Sequence, residues 1–147
     1  VIDKMEAEGV PDLTFTTLEG QTVRLADLRG KIVILNFWAS WCNPCVEEFP
    51  SMMKLIEQMK GEVVIVAVST DDERKDIETF TKAMGLPKPN FNVAWDEKKE
   101  AMQAFAVEKV PESFLIAKDG KLIRKVLGIE NWSSPNAIEY FQHLVGK

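Results

Sequence analysis

Apolar residues fall in two patterns along this chain: dense runs of strand length, and stretches where they recur every three or four positions. Ile32–Trp38 and Glu62–Val68 are apolar almost throughout, the pattern of strands covered on both faces of a sheet. Asn36 is the odd polar residue inside the first run. Cys45, Phe49, Met52, Met53, Ile56 and Met59 predict one apolar face of a helix over Pro44–Lys60. Pro44 suits the first turn, where a missing N–H costs nothing, and Gly61 ends the helix. Pro50 cannot donate to the Val46 carbonyl, which predicts a bend there.

The remaining segments complete the order of elements. Leu13–Thr17 and Gln21–Leu25 predict short strands around the Glu19-Gly20 turn. Asp71 and Asp72 read as caps of a helix over about Glu73–Met84 that stops near Gly85. A Pro-rich loop, Leu86–Asn90, leads to a strand at Phe91–Trp95 and a helix at Glu97–Ala106. Ser113–Ala117 and Leu122–Leu127 flank Asp119-Gly120, a strong hairpin signal. A last helix spans about Ser134–Val145. The order predicts an α/β fold with a mixed central sheet and helices on both faces.

The 147 residues fit one domain, 1–147, in which the polar, acidic residues 1–8 read as a loose leader. The net charge of −5, with Lys and Arg scattered among acids, argues against a nucleic-acid partner. The longest apolar stretch, Ile32–Ala39, is too short to span a membrane. The chain opens on Val1 and not on Met, which leaves room for a signal or a membrane tether upstream.

The chain has two cysteines, and they stand three positions apart. A structural disulfide closing so short a loop would stabilise by only about 2 kcal/mol, so chemistry explains the pair better than stapling. Trp41-Cys42-Asn43-Pro44-Cys45 lies where the strand gives way to the helix. A helix N-terminus stabilises negative charge, and the thiolate is the nucleophile in disulfide exchange. Cys42 is therefore expected to be the exposed attacker, titrating below the free value of about 8.5, and Cys45 the buried resolving thiol. Trp41 is expected to shield the cysteine site.

Other residues have plainer readings. A structural zinc site needs four ligands, and no second cysteine pair exists. His143 lies on the last helix, whereas a Cys–His hydrolase needs it beside Cys42. Trp38, Trp95 and Trp132 read as packing residues, Asp71-Asp72-Glu73 as a helix start, and the methionines as core. No metal and no dissociable cofactor are expected.

Several blocks resemble one family. They are Pro11-Asp12-Leu13-Thr14-Phe15, the run from Gly30 to Cys45, Glu48-Phe49-Pro50, Val68-Ser69-Thr70-Asp71, Val110 to Ile116, and Asp119-Gly120-Lys121. Together they resemble the extracytoplasmic thioredoxin-like proteins of the TlpA/ResA type, which include reductants of cytochrome c maturation. The resemblance runs from about Val10 to Gly146. It implies a thioredoxin fold with an N-terminal hairpin and a strand–helix insertion within Gly85–Ala106. It also implies thiol–disulfide exchange with a disulfide-bearing protein substrate, an upstream dithiol reductant, and the bacterial periplasm or the outer face of the membrane.

On a helical wheel Glu48 lies about 60° from Cys45 and Glu47 points nearly opposite. That geometry leaves a base for Cys45 and an ordinary surface acid both open; the resemblance implies the base. Asn36 stands where ordinary thioredoxins carry a buried acid. An amide cannot accept a proton at neutral pH, so Asn36 reads as a hydrogen-bonding residue of the sheet. The residues alone favour a trans Val110–Pro111 bond. The resemblance implies a cis proline facing the cysteines, with the Val110 backbone pairing with substrate. Glu112 departs from the family, which usually has Thr there; its side chain is expected near the active site and puts substrate preference in doubt.

Two rival functions stand beside this one. Peroxiredoxins share the fold and a similar opening, but usually carry Thr or Ser three residues before the reactive cysteine, where this chain has Ala39. A non-enzymatic binding module is the other rival, and the intact Cys42 and Cys45 argue against it.

Overall fold

The structure, a computed structural model, describes residues 1–147. Its elements are α1 (Ile2–Glu8), β1 (Thr14–Thr16), β2 (Thr22–Arg24), β3 (Ile32–Trp38), α2 (Asn43–Met59), β4 (Val63–Ser69), α3 (Arg74–Met84), β5 (Phe91–Trp95), α4 (Glu100–Ala104), β6 (Glu112–Ile116), β7 (Leu122–Leu127) and α5 (Pro135–Val145). β1 and β2 form a separate antiparallel hairpin, and the main sheet has the order β5-β4-β3-β6-β7. β3 runs parallel to β4 and antiparallel to β6, so it lies at the centre of a mixed sheet. That position explains why all seven of its residues are buried.

Alternation along β3 divides the core in two. Ile32, Ile34 and Trp38 face the layer that holds Phe49 and Met52 of α2, Ile77 of α3 and Phe141 of α5. Val33, Leu35 and Phe37 face the layer that holds Met5 of α1, Phe15 of β1, Ala101 of α4 and Phe105. Asn36 shares the parity of Ile34 and Trp38, so it looks toward α2. β5 and α4 form the strand–helix insertion. No helix is long and apolar enough to cross a membrane.

Several expectations need correction. Residues 1–8 do not form a loose leader: Ile2–Glu8 is helical and Met5 is buried in the second core layer. One buried methionine among polar neighbours is too weak a pattern to read from sequence. The α4 helix is shorter than Glu97–Ala106, because Lys99 adopts a left-handed backbone (φ 60) immediately before it. The Asp96 carboxylate then accepts the Ala101 and Met102 N–H groups, each at 3.0 Å. Asp71 and Asp72 do not cap α3; Glu73 is its N-cap and makes no side-chain cap bond. The helix expected after Cys42 is present as α2, and Pro50 lies within it.

Candidate active site

Cys42 and Cys45 are joined as a disulfide with a Cα–Cα distance of 5.3 Å. Cys42 is the N-cap of α2, extended in backbone (φ −94, ψ 105), and the Cys45 N–H donates to its sulfur at 3.3 Å. A free N–H and the positive end of the helix dipole thus meet at one sulfur, an arrangement that favours negative charge there. The expectation of an exposed Cys42 needs correction: it is 6% exposed, against 0% for Cys45. Its sulfur lies 3.8 Å from the Val110 carbonyl oxygen, so the Val110–Pro111 segment covers it. Trp41, the residue before the Cys42 N-cap, is 70% exposed.

Val110–Pro111 is a cis peptide bond immediately before β6. Glu112, the next residue, pairs with Phe37 in the register and so shares the face opposite α2. Its side chain is buried there: one carboxylate oxygen lies 2.9 Å from Lys125 Nζ, and the other accepts the Lys109 N–H at 3.3 Å. Glu112 therefore does not face the sulfurs, contrary to the sequence expectation. Alternation sets this: Ser113, one residue on, takes the α2 side.

Glu48 is one turn beyond Cys45 and is 1% exposed. One oxygen, Oε2, accepts the Glu130 N–H at 2.9 Å and the Trp132 Nε1–H at 3.0 Å. The other, Oε1, accepts only a long 3.4 Å contact from Asn36 Nδ2. Burial pushes the carboxyl up to about 7, against the smaller lowering by its three donors. Asn36 Nδ2 also donates to Ser113 Oγ at 2.8 Å, while Asn36 Oδ1 is buried without a partner. Glu47 is exposed.

Asp71 was missed as a site residue because a sequence reading sees only its place before a helix. It is buried, and its carboxylate accepts the Ser40 N–H at 2.9 Å, the Ser40 hydroxyl at 2.6 Å and the Ser69 hydroxyl at 2.5 Å. From the insertion, Trp95 Nε1 donates to the Asp71 carbonyl at 2.8 Å, and Lys99 Nζ donates to the Thr70 carbonyl. The insertion thus grips the loop that holds Ser40, two residues before Cys42. Asp71→Ala orphans a backbone N–H and two hydroxyls, and is expected to cost about 3 kcal/mol, read as a lowered urea midpoint at unchanged slope.

Trp132 and Glu130 were also missed as partners of Glu48, since they come from the loop after β7, more than eighty positions away. No group of three or more His, Cys, Asp or Glu side chains is gathered that could hold a metal ion. His143 is exposed on α5.

The AhpC/TSA family pattern matches residues 7–125. The thiol-disulfide oxidoreductase ResA of Bacillus anthracis is 38% identical over 128 residues, spanning 86% of this chain and 72% of that protein. The thioredoxin domain of a thiol-disulfide oxidoreductase from Bacteroides vulgatus superposes with a TM-score of 0.77 at 26% identity, over 91% of this chain and 95% of that one. The exposed lipoprotein thioredoxin Etrx1 of Streptococcus pneumoniae strain TIGR4 gives 0.72 at 26% identity, over 91% and 100%. The chain therefore belongs to the AhpC/TSA family and, within it, to the thiol-disulfide oxidoreductases of the ResA type.

Proposed function

We propose that the chain reduces protein disulfides outside the bacterial cytoplasm, with Cys42 as attacking thiol, Cys45 as resolving thiol and Glu48 as the acceptor of the Cys45 proton. The observation that carries this reading is the convergence at one helix end: an N-cap sulfur held by the Cys45 N–H, and a buried carboxyl one turn along.

The Cys42 thiolate attacks the substrate disulfide; its sulfur bonds to one substrate sulfur, and the other leaves as a thiolate that takes a proton from solvent. Cys45 then gives its proton to Glu48 and attacks Cys42 Sγ. The Cys42–Cys45 bond forms as the mixed disulfide breaks, and the second substrate sulfur leaves with the electron pair. The substrate ends reduced by two electrons and the enzyme oxidised, so a second dithiol protein must restore it. Val110 leaves its carbonyl at the mouth beside Cys42, where an extended substrate chain can pair with it, and Trp41 offers that chain an apolar rim. The kinship with ResA supports a part in cytochrome c maturation, and the surface lipoprotein among the structural relatives supports the location.

The reduction potential of the Cys42–Cys45 pair tests the direction. A value near or below about −270 mV is expected for a reductant, and one near about −120 mV would make the protein an oxidant. Alkylation of the reduced protein at mildly acidic pH, followed by mass mapping, is expected to modify Cys42 first, because its sulfur is the one at the helix end. Preferential labelling of Cys45 would reverse the two roles. Peroxide consumption is expected to be negligible beside disulfide reduction; fast turnover of peroxide would favour the peroxidase rival.

A further inference from the structure

Glu48 has to be comfortable in two states if it takes a proton from Cys45 and later returns it. Its two oxygens differ sharply. Oε2 already accepts two N–H groups at 2.9 and 3.0 Å, so an added proton has no good place there. Oε1 has only the 3.4 Å contact from Asn36 Nδ2, which leaves it as the oxygen that takes the proton. A protonated Oε1 would face an amide N–H₂ that cannot accept, inside a fully buried site. The acceptor it needs is the other end of the same amide: Asn36 Oδ1, buried and without a partner.

We infer that the Asn36 side chain turns over in step with the protonation of Glu48, donating to the carboxylate and accepting from the carboxylic acid, with Ser113 as the partner that serves both orientations. A half-turn of the amide exchanges Nδ2 and Oδ1. Ser113 Oγ, which accepts from Nδ2 at 2.8 Å, can instead donate its proton to Oδ1, because a hydroxyl is both donor and acceptor. The exchange keeps Ser113 and Glu48 as partners of the amide, now to Oδ1, while Nδ2 moves to the place where Oδ1 has no partner. The unpartnered end of the amide therefore changes, and the sheet need not move. The register fixes this triad: Asn36 and Ser113 are directly opposite on β3 and β6, on the face that looks at α2. The ionisable groups around Glu48 are Cys45 on its own helix and Glu130 on the loop after β7. Asn36 is then a positioning residue, acting through Glu48 and not on sulfur.

The inference rests on Glu48 as the proton acceptor, and the test separates the two. In the intact isotope-labelled chain, the Asn36 Hδ2 protons are expected to show strong nuclear Overhauser contacts to Ser113 and Glu48 protons at pH 8.5. These contacts should weaken severalfold at pH 5.5, with a midpoint that follows the Glu48 carboxyl carbon shift. In Glu48→Gln they should no longer change with pH. Contacts equally strong at both pH values in the parent would overturn the inference. Asn36→Leu supplies a second readout. An amide serving both states leaves the Glu48 midpoint in place when removed; a fixed donor leaves it raised by a unit or more, which would also overturn the inference. Should the amide turn while Glu48→Gln resolves mixed disulfides at the parent's rate, the proton-acceptor role falls and the turning amide stands.

Discussion

Cys42→Ser is expected to abolish dithiol-driven reduction of insulin-type disulfides, while Cys45→Ser is expected to stall with substrate bound through Cys42. The asymmetry follows from where each sulfur sits. Cys42 is at the helix N-cap beside the Val110 carbonyl, the more accessible of the two sulfurs and the one the helix end stabilises as a thiolate. Cys45 is fully buried, so with Cys42 gone no sulfur can reach a substrate disulfide. With Cys45 gone the first attack still proceeds, but release must wait for an external thiol. A well-placed internal group acts as though present at about 10⁵ M or more, so millimolar dithiol is a poor substitute. Turnover should fall by at least about a hundredfold on that comparison, and the mixed disulfide should be visible as an added mass on the intact chain. Disulfide reduction by Cys42→Ser near the parent's rate would remove the assignment of the attacker. Parent-like turnover by Cys45→Ser would show that no resolving thiol is needed.

The sequence was most informative where one local signal sufficed. Ile32–Trp38 and Phe91–Trp95 appear with the predicted bounds, because each is a short run of mostly apolar residues, broken only by Asn36 in the first and Asn92 in the second. The helix after Cys42 was equally legible, since six apolar residues and a first-turn proline agree. What could not be read depends on which residues meet across distance. Glu48 could be placed on the same side of its helix as Cys45, yet nothing local shows that Trp132 and the Glu130 N–H close over it. Asp71 looked like a helix cap because Asp before a helix usually is one; the bond to Ser40 that replaces that role spans thirty-one positions. Glu112 was expected near the sulfurs from its place after Pro111, but the pleat turned it to the opposite face, where Lys125 neutralises it. Even the exposure of Cys42 was misjudged for this reason, because the residue that covers it is Val110.

Glu48→Gln is expected to slow resolution of the mixed disulfide by about a hundredfold near neutral pH, the lower end of what a positioned base contributes. Cys45 must lose a proton while buried, where the thiolate is disfavoured, and Glu48 is the carboxyl one turn away. Burial has moved that carboxyl to about 7, so it is close to half ionised at neutral pH and can both take and release a proton. In the parent, resolution should rise with pH through about 7 as the accepting form appears. The variant should lose that inflection and follow the thiol alone. Stability should respond as well, with the opposite sign from a salt-bridged acid. The folded state holds the Glu48 proton up to about 7, whereas the unfolded chain releases it near 4.5. Between those values the folded form binds more protons, so stability is full below about 4.5 and declines as pH rises through 7. The decline amounts to about 3 kcal/mol. Glu48→Gln keeps an acceptor for Trp132 Nε1 and the Glu130 N–H and has no proton to lose. Urea unfolding should therefore show a much smaller loss of stability from pH 5 to pH 8 than in the parent. Glu47→Gln, one residue away and exposed, is the control and should match the parent in both measurements. If the two variants behave alike, with parent-like resolution and the parent's pH-dependent stability, Glu48 carries neither the proton nor the pH response.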